Sequence, residues 1–227
     1  MRTKALLIGD IRFQFKYGFY FLYLVFTILY ISLLTVLPVT WRAQAATLMI
    51  FTDPAAMGLY FMGAIILFEK SESVLNSIAI SPVRSLEYVV SKLISLALIS
   101  TIVGLLIGFG SGNVSNPIIL ALGVFLGSCL FSSAGLIVAA NIVSLNEFIV
   151  ATIPVELVIN VPALAWLFGW KPGWLILHPG ICIIEIIQNG EKALPAMFIL
   201  LVWTILFALL ARRVVDKSLR VLGGGKL

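Results

Sequence analysis

Long apolar runs separated by short polar interruptions account for nearly the whole chain. A helix crossing a hydrocarbon core of about 30 Å needs about 20 predominantly apolar residues. Residues 17–37 supply the first such run, which stops at Pro38, and 86–107, 117–140, 148–168 and 196–211 supply four more. Another ends at Phe68 and is less clean. Asp53-Pro54 reads as a cap followed by a first-turn proline, yet a helix over 54–68 alone rises only about 22 Å. Either that helix begins near Gln44 and kinks at Pro54, or its outer end is irregular. The kinked form is favoured, with tertiary contacts supporting the proline. The pattern therefore predicts an all-α membrane protein with six transmembrane helices in a single domain over 1–227.

The remaining segments add three features. Residues 1–16 are weakly amphipathic: Leu7, Ile8, Ile11 and Phe15 share one helical face, with Gly9, Arg12 and Lys16 opposite. A helix of that kind lies in the membrane interface. Residues 169–195 hold Lys171-Pro172-Gly173-Trp174, His178-Pro179-Gly180, a short apolar run over 181–187 broken by Glu185, and Asn189-Gly190. That run is too short to cross a bilayer, so a re-entrant or interfacial hairpin is expected, with His178 as a polar cap on its turn. Trp166, Trp170 and Trp174 cluster where an aromatic belt would lie. Within the spans, Gly104 and Gly108, Gly123 and Gly127, and Gly135 provide small surfaces for close helix approach. Residues 108–116 make a Gly/Ser/Asn turn between the third and fourth spans.

Composition agrees with this pattern. Apolar residues make up 61% of the chain and charged ones 11%, less than half the soluble norm of roughly a quarter. The net charge of +5 is too small and too scattered for a nucleic-acid surface. Its distribution says more. With the N-terminus inside, the inner segments hold twelve of the 15 Lys and Arg residues, and the outer ones only Arg42, Lys171 and Lys192. By the positive-inside rule both termini are cytoplasmic, including a basic tail over 212–227, and the 169–195 hairpin is external. Ala43-Gln-Ala45 looks like a signal-peptidase site, but 17–37 is longer than a secretory core of roughly 7–15 residues and is read as a retained span. Cys129 and Cys182 fall in separate segments and read as small apolar fillers, not a disulfide.

One polar interruption organises the rest. Residues 68–92 carry six charges between the second and third spans. Ser71 or Ser73 can cap a short helix there, to which Val74, Leu75, Ile78 and Ala79 give an apolar stripe. Pro82 ends it, and Ser85 caps the next run with Glu87 in its first turn. The order Glu69, Val74-Leu75, Ile78-Ala79-Ile80, Ser81-Pro82, Glu87-Tyr88 and Lys92 resembles the permease subunits of type-2 ATP-binding-cassette exporters. The resemblance is dense over about a tenth of the chain, and the family usually has Gly-Thr where this chain has Ser73-Val74.

That resemblance implies a cytoplasmic coupling helix over 69–85 whose Glu69, Val74, Leu75, Ile78, Ser81, Pro82 and Glu87 transmit movement from an ATPase. It implies a dimer, with a second copy or a sister permease, and two cytosolic ATPase subunits that hold the ATP and magnesium, leaving this chain without a cofactor. It also implies a multi-pass protein of the inner or plasma membrane that exports by alternating access. The wide aromatic and aliphatic surface makes a drug, antibiotic or lipid-like molecule the first choice of substrate, ahead of a glycan carrier.

Candidate chemistry is otherwise sparse. No Gly-x-x-x-x-Gly-Lys-Ser/Thr loop is present, and Gly223-Gly-Gly-Lys226 lacks the strand, helix and hydroxyl that such a loop needs. The fifth span is the most polar. Glu156 lies about 12 Å into the membrane, Asn160 is one turn further on, and Pro154 and Pro162 leave the carbonyls of Val150 and Val158 without their usual donors. Glu156 and Asn160 are candidates for a translocation path, with Phe26 and Tyr30 from the aromatic stripe of span 1; a packing role for each remains open. Two other classes are weighed: a secondary transporter or channel using Glu156, and an intramembrane protease pairing Ser111 with His178. Both of those last residues sit in external segments, which disfavours a dyad.

Overall fold

The computed structural model describes residues 2–112 and 114–222, with the side chains of Pro54, Ala55 and Leu222 left aside. Its elements are α1 (Arg2–Lys16), α2 (Phe19–Val36), α3 (Val39–Ile50), a π-helical turn (Phe51–Ala55), α4 (Met57–Ser71), α5 (Val74–Ala79), α6 (Ser85–Ser111), α7 (Pro117–Ala139), α8 (Leu145–Leu167), a 3₁₀ turn (Gly173–Leu177), α9 (Pro179–Ile187) and α10 (Ala193–Leu222). No strand occurs among the described residues. Six segments are long and apolar enough to span a membrane: α2, α3 to α4 taken through the π turn, α6, α7, α8 and α10.

The hub is α7, which packs against α4, α6, α9 and α10. It carries no charge, and its small residues let neighbours come close. A side chain at Gly135 would overlap the backbone of Leu59, so α4 and α7 meet main chain to main chain there. The outer helices α2, α8 and α10 leave broad apolar faces exposed, as lipid-facing spans do.

Several expected boundaries move. The second span begins at Val39, directly after Pro38, and not near Gln44. Its irregularity at Pro54 is a wide turn: the amide of Ala56 reaches back five residues to the Phe51 carbonyl at 3.1 Å. A proline lacks the amide that would close a normal α turn, and a π turn absorbs that loss without breaking the helix. The basic segment 212–222 is no free tail; α10 continues as helix through Leu222, carrying Arg212, Arg213, Lys217 and Arg220. Residues 223–227, with Gly223-Gly-Gly-Lys226, lie outside the described residues.

Caps differ too. Ser73 occupies the position before α5 with φ 58 and makes no side-chain cap, while Ser71 Oγ donates to Phe68 O at 2.8 Å. The type-2 pattern has glycine at Ser73, and a left-handed φ explains why glycine suits the position. Arg84, not Ser85, is the N-cap of α6, its amide donating to Glu87 Oε2 at 2.9 Å. Asn116 caps α7 as a side-chain acceptor for the amides of Ile118 and Ile119.

Both cysteines are buried and unbonded to each other. The segment after α8 packs its short helix α9 against α7, α8 and α10, with residues 179–186 all buried.

Candidate functional site: a clamped helix at one end of the bundle

At the end of the bundle that carries α5, three helices are tied by one lysine. Lys92, on the first turns of α6, is 2% exposed and donates to Asp10 Oδ1 of α1 at 2.6 Å and to Glu69 Oε1 of α4 at 2.5 Å. Tyr88 OH donates to the other oxygen of Glu69 at 2.5 Å, and Ser91 Oγ to the other oxygen of Asp10 at 2.8 Å. Gln14 of α1 continues the contact to Ser95 Oγ at 2.8 Å. A charge taken from water must be paired and hydrogen-bonded, and each charge in this group is. The face of α1 that carries Asp10 and Gln14 therefore turns to the bundle, while Gly9, Arg12 and Lys16 are exposed, as are Ile8 and Phe15 of the apolar stripe.

A second lysine clamps the same end. Lys70 Nζ donates to the carbonyls of Ala139, Ala140 and Ile142 at 2.7–2.8 Å. Those are orphan acceptors at the C-terminus of α7, where a cation also meets the negative end of the helix dipole. Adjacent residues Glu69 and Lys70 thus fasten the end of α4 to α6 and to α7.

Between these clamps sits α5. Leu75 is buried, facing Ile66, Tyr88, Leu136 and Leu219, so it is the helix's anchor in its own bundle. Val74 and Ile78 are half-buried, and Ile80 at its C-cap is 84% exposed. Ser81 Oγ donates to Ile78 O at 2.7 Å and closes the turn, whose Pro82 carbonyl accepts from Arg2 Nη1 at 2.9 Å. Beyond it, Ser85 Oγ donates to Asp216 Oδ1 of α10 at 2.7 Å. Of the seven sequence-selected coupling residues, Glu69, Leu75, Ser81 and Glu87 are occupied by contacts inside the chain. Pro82 and the C-cap residue Ile80 form the outward surface.

The path candidates fall into two groups on separate helices. Glu156 Oε2 accepts from Tyr60 OH at 2.7 Å. Phe61 instead takes Phe19 and Tyr23 edge-on, and Phe26 stacks on Tyr30 a turn further along α2, with centroids 6.1 Å apart. Asn160 Oδ1 is buried without a partner. The four residues are not joined in one contact; Glu156 and Asn160 lie on α8, and Phe26 and Tyr30 on α2.

The 169–195 segment explains how α8 stays unbroken across Pro162. His178 Nε2 bonds the Val158 carbonyl at 3.1 Å, the acceptor that Pro162 leaves without a donor. The carbonyl can only accept, so Nε2 carries the proton, and His178 Nδ1 has no partner. Ser111 Oγ donates to Gly108 O, and no Ser111–His178 bond forms. Burial lowers the His178 pKa below the ordinary range. Trp166 Nε1 donates to Glu185 Oε2 at 3.1 Å, which partners the one acid in α9.

Sequence reading missed Asp10 and Lys70 as clamps. The signal for Lys92 was a cation about two turns inside an apolar run, which demands an acid from somewhere. Asp10 is the sole acid in α1 and its partner stands 82 positions away.

Six helices long and apolar enough to cross a membrane define the class, a multi-pass membrane protein. The chain belongs to the fluoroquinolones export permease protein family, whose model matches residues 1–222. This membership is consistent with the type-2 resemblance. Among curated proteins, the chain is 28% identical over 156 residues to fluoroquinolones export permease proteins from two strains of Mycobacterium tuberculosis. The matched stretch is 67% of this chain and spans 65% of the length of each relative.

Proposed function

We propose that the chain is the membrane subunit of an ATP-driven exporter of amphipathic drugs, working as a dimer with two cytosolic ATPase subunits. The observation that carries this reading is the double clamp beside α5: a short helix seated by Leu75 next to the point where Lys92, Glu69 and Lys70 tie spans two, three and four together. A push on such a helix moves the spans and not merely a loop. The coupling set divides by role. Leu75, Val74 and Ile78 seat the helix, Ser81 and Glu87 shape its flanks, Glu69 links it to α6, and Pro82 with Ile80 meets the ATPase. In this reading α5 and both termini lie in the cytoplasm of a cell-membrane protein, which the cation asymmetry supports. ATP and magnesium belong to the partner chain. The relatives' name points to fluoroquinolones as the first substrates to try.

The test is ATP-dependent uptake of a fluoroquinolone into inverted vesicles holding the chain and its ATPase. Ile80→Asp with Leu75 intact is expected to release or uncouple the ATPase while the permease remains folded. Leu75→Asp is expected to unseat α5 and lose coupling together with stability, because it buries a carboxylate among apolar neighbours. Normal export by both variants would end the coupling role. Uptake that ignores ATP and collapses with a protonophore would favour the secondary-transporter reading instead, which would lean on Glu156, held by Tyr60.

A further inference from the structure

We infer that Asp53 is a binding site for the cationic end of an amphipathic substrate, in the middle of the second span. This deepens the proposed function, on which its physiological meaning rests. Asp53 stands on the π turn, fourteen residues beyond Val39 and eighteen before Ser71, at about 21 and 27 Å of helical rise from the ends of the span. It is 2% exposed, and its Oδ2 accepts no hydrogen bond.

A buried carboxylate in lipid is expected to have a cation or donors, and among the described residues Asp53 Oδ2 has neither. The neighbours offer no cation. The π turn packs against α3, α4, α6, α7 and α9. Their other charged residues are all engaged: Arg42 with the carbonyls of Leu37 and Thr35, Glu69 and Lys92 with each other, Lys70 with the end of α7, Glu87 with the Arg84 amide, and Glu185 with Trp166. α7 has no charge at all. Only Asp53 is left over.

Two tyrosines stand near the carboxyl. Tyr23 and Tyr30 of α2 lie within electrostatic reach of it, and Phe26 stacks on Tyr30. Tyr23 OH is already committed to a hydroxyl chain through Ser100 and Ser128, so it does not neutralise Asp53. A carboxylate with aromatic residues in its neighbourhood is the chemistry that holds an organic cation. Tyr30 is partly exposed, on the span from which a ligand would approach. The π turn is the natural hinge, since a wide turn around a proline holds its ladder less firmly than α-helix does.

The experiment uses two probes on the purified full-length chain: ethidium, a permanent aromatic cation, and N-phenyl-1-naphthylamine, an aromatic neutral at pH 7. Fluorescence titration is expected to give an ethidium Kd raised at least tenfold in Asp53→Asn, with naphthylamine binding unchanged. Equal affinity of Asp53→Asn and the wild type for ethidium, or an equal loss for both probes, overturns the assignment. Should Asp53→Asn fail to fold, Asp53→Glu keeps the charge and displaces it by one methylene. Weaker ethidium binding with unchanged naphthylamine binding then supports the site, and no change in either overturns it. Binding is read without an ATPase. Failure of ATP-driven uptake in vesicles would count against the exporter reading, whereas unaltered binding by Asp53→Asn counts against Asp53 alone.

Discussion

Replacing Lys92 by Met is the sharpest test of the clamped end. Methionine fills much the same volume but leaves Glu69 and Asp10, whose side chains are 7% and 13% exposed, facing an apolar group. Removing one partner of a buried ion pair costs about 3–5 kcal/mol, because the remaining charge stays buried and unpaired. For a chain of this size each kcal/mol moves the unfolding midpoint by roughly 2–4 °C, so a drop of roughly 6–20 °C is expected in detergent. Tyr88 and Ser91 still donate to the two acids, which favours the lower half of that range. Adding Glu69→Gln to Lys92→Met removes the more deeply buried stranded charge and is expected to recover part of the loss. A double-mutant cycle by thermal unfolding reads the coupling directly. A single Lys92→Met within about 2 °C of wild type, or a double variant worse than the sum of the two singles, would mean that the cluster is not the fastener inferred.

Gly135→Ala sets a methyl group against the Leu59 backbone, which cannot rotate away, and is expected to cost about 1–3 kcal/mol by the same unfolding assay. Gly9→Ala, which meets nothing within 4 Å, is its control and should be close to neutral. His178 has a pKa lowered by burial, so its contribution to stability is fully present above its ordinary value of about 6.5 and is lost as pH falls through the lowered value. Stability is therefore expected to decline below about pH 6.5, and His178→Gln should flatten that decline in a pH series of melting curves. Glu156→Gln is expected to reduce export while leaving membrane insertion and ATPase assembly intact. Unchanged export, with Glu156→Leu losing only assembly, would return the residue to packing.

The number and order of spans were legible because a lipid-spanning helix is written locally, in some twenty consecutive apolar residues. The short helix over 74–79 was legible for a similar reason, since Pro82 and the polar residues around it are local signals. What each side chain of that helix faces was not. Leu75 and Ile80 are equally apolar, and only the packing of α4, α6, α7 and α10 decides that the first is buried and the second exposed. The extent of α10 was obscured by charge: Arg212, Arg213, Lys217 and Arg220 look like the end of a span, but arginine and lysine are good helix formers and continue the helix beyond it. Pro54 was recognised as a kink in a continuing helix, and Asp53 was read as a cap. The π turn that makes the kink instead draws the Asp53 carboxyl inward, which no local pattern foretells.

The pairing of His178 with Val158 illustrates how such gaps are closed. Pro162 alone predicts a bare carbonyl, and a lone histidine after a turn predicts only a polar cap. Each has a simple explanation by itself, and neither reveals the other twenty positions away. The requirement that links them is physical: in a medium without water, a carbonyl without a donor costs more than ordering a side chain to supply one. The same requirement accounts for Lys70 at the end of α7 and for Lys92 between two acids. Applied to the carboxylates among the described residues, it singles out Asp53, whose Oδ2 is buried without a partner. A site that is costly when empty is stabilised by binding, so the ligand that fills it also favours the conformation that encloses it.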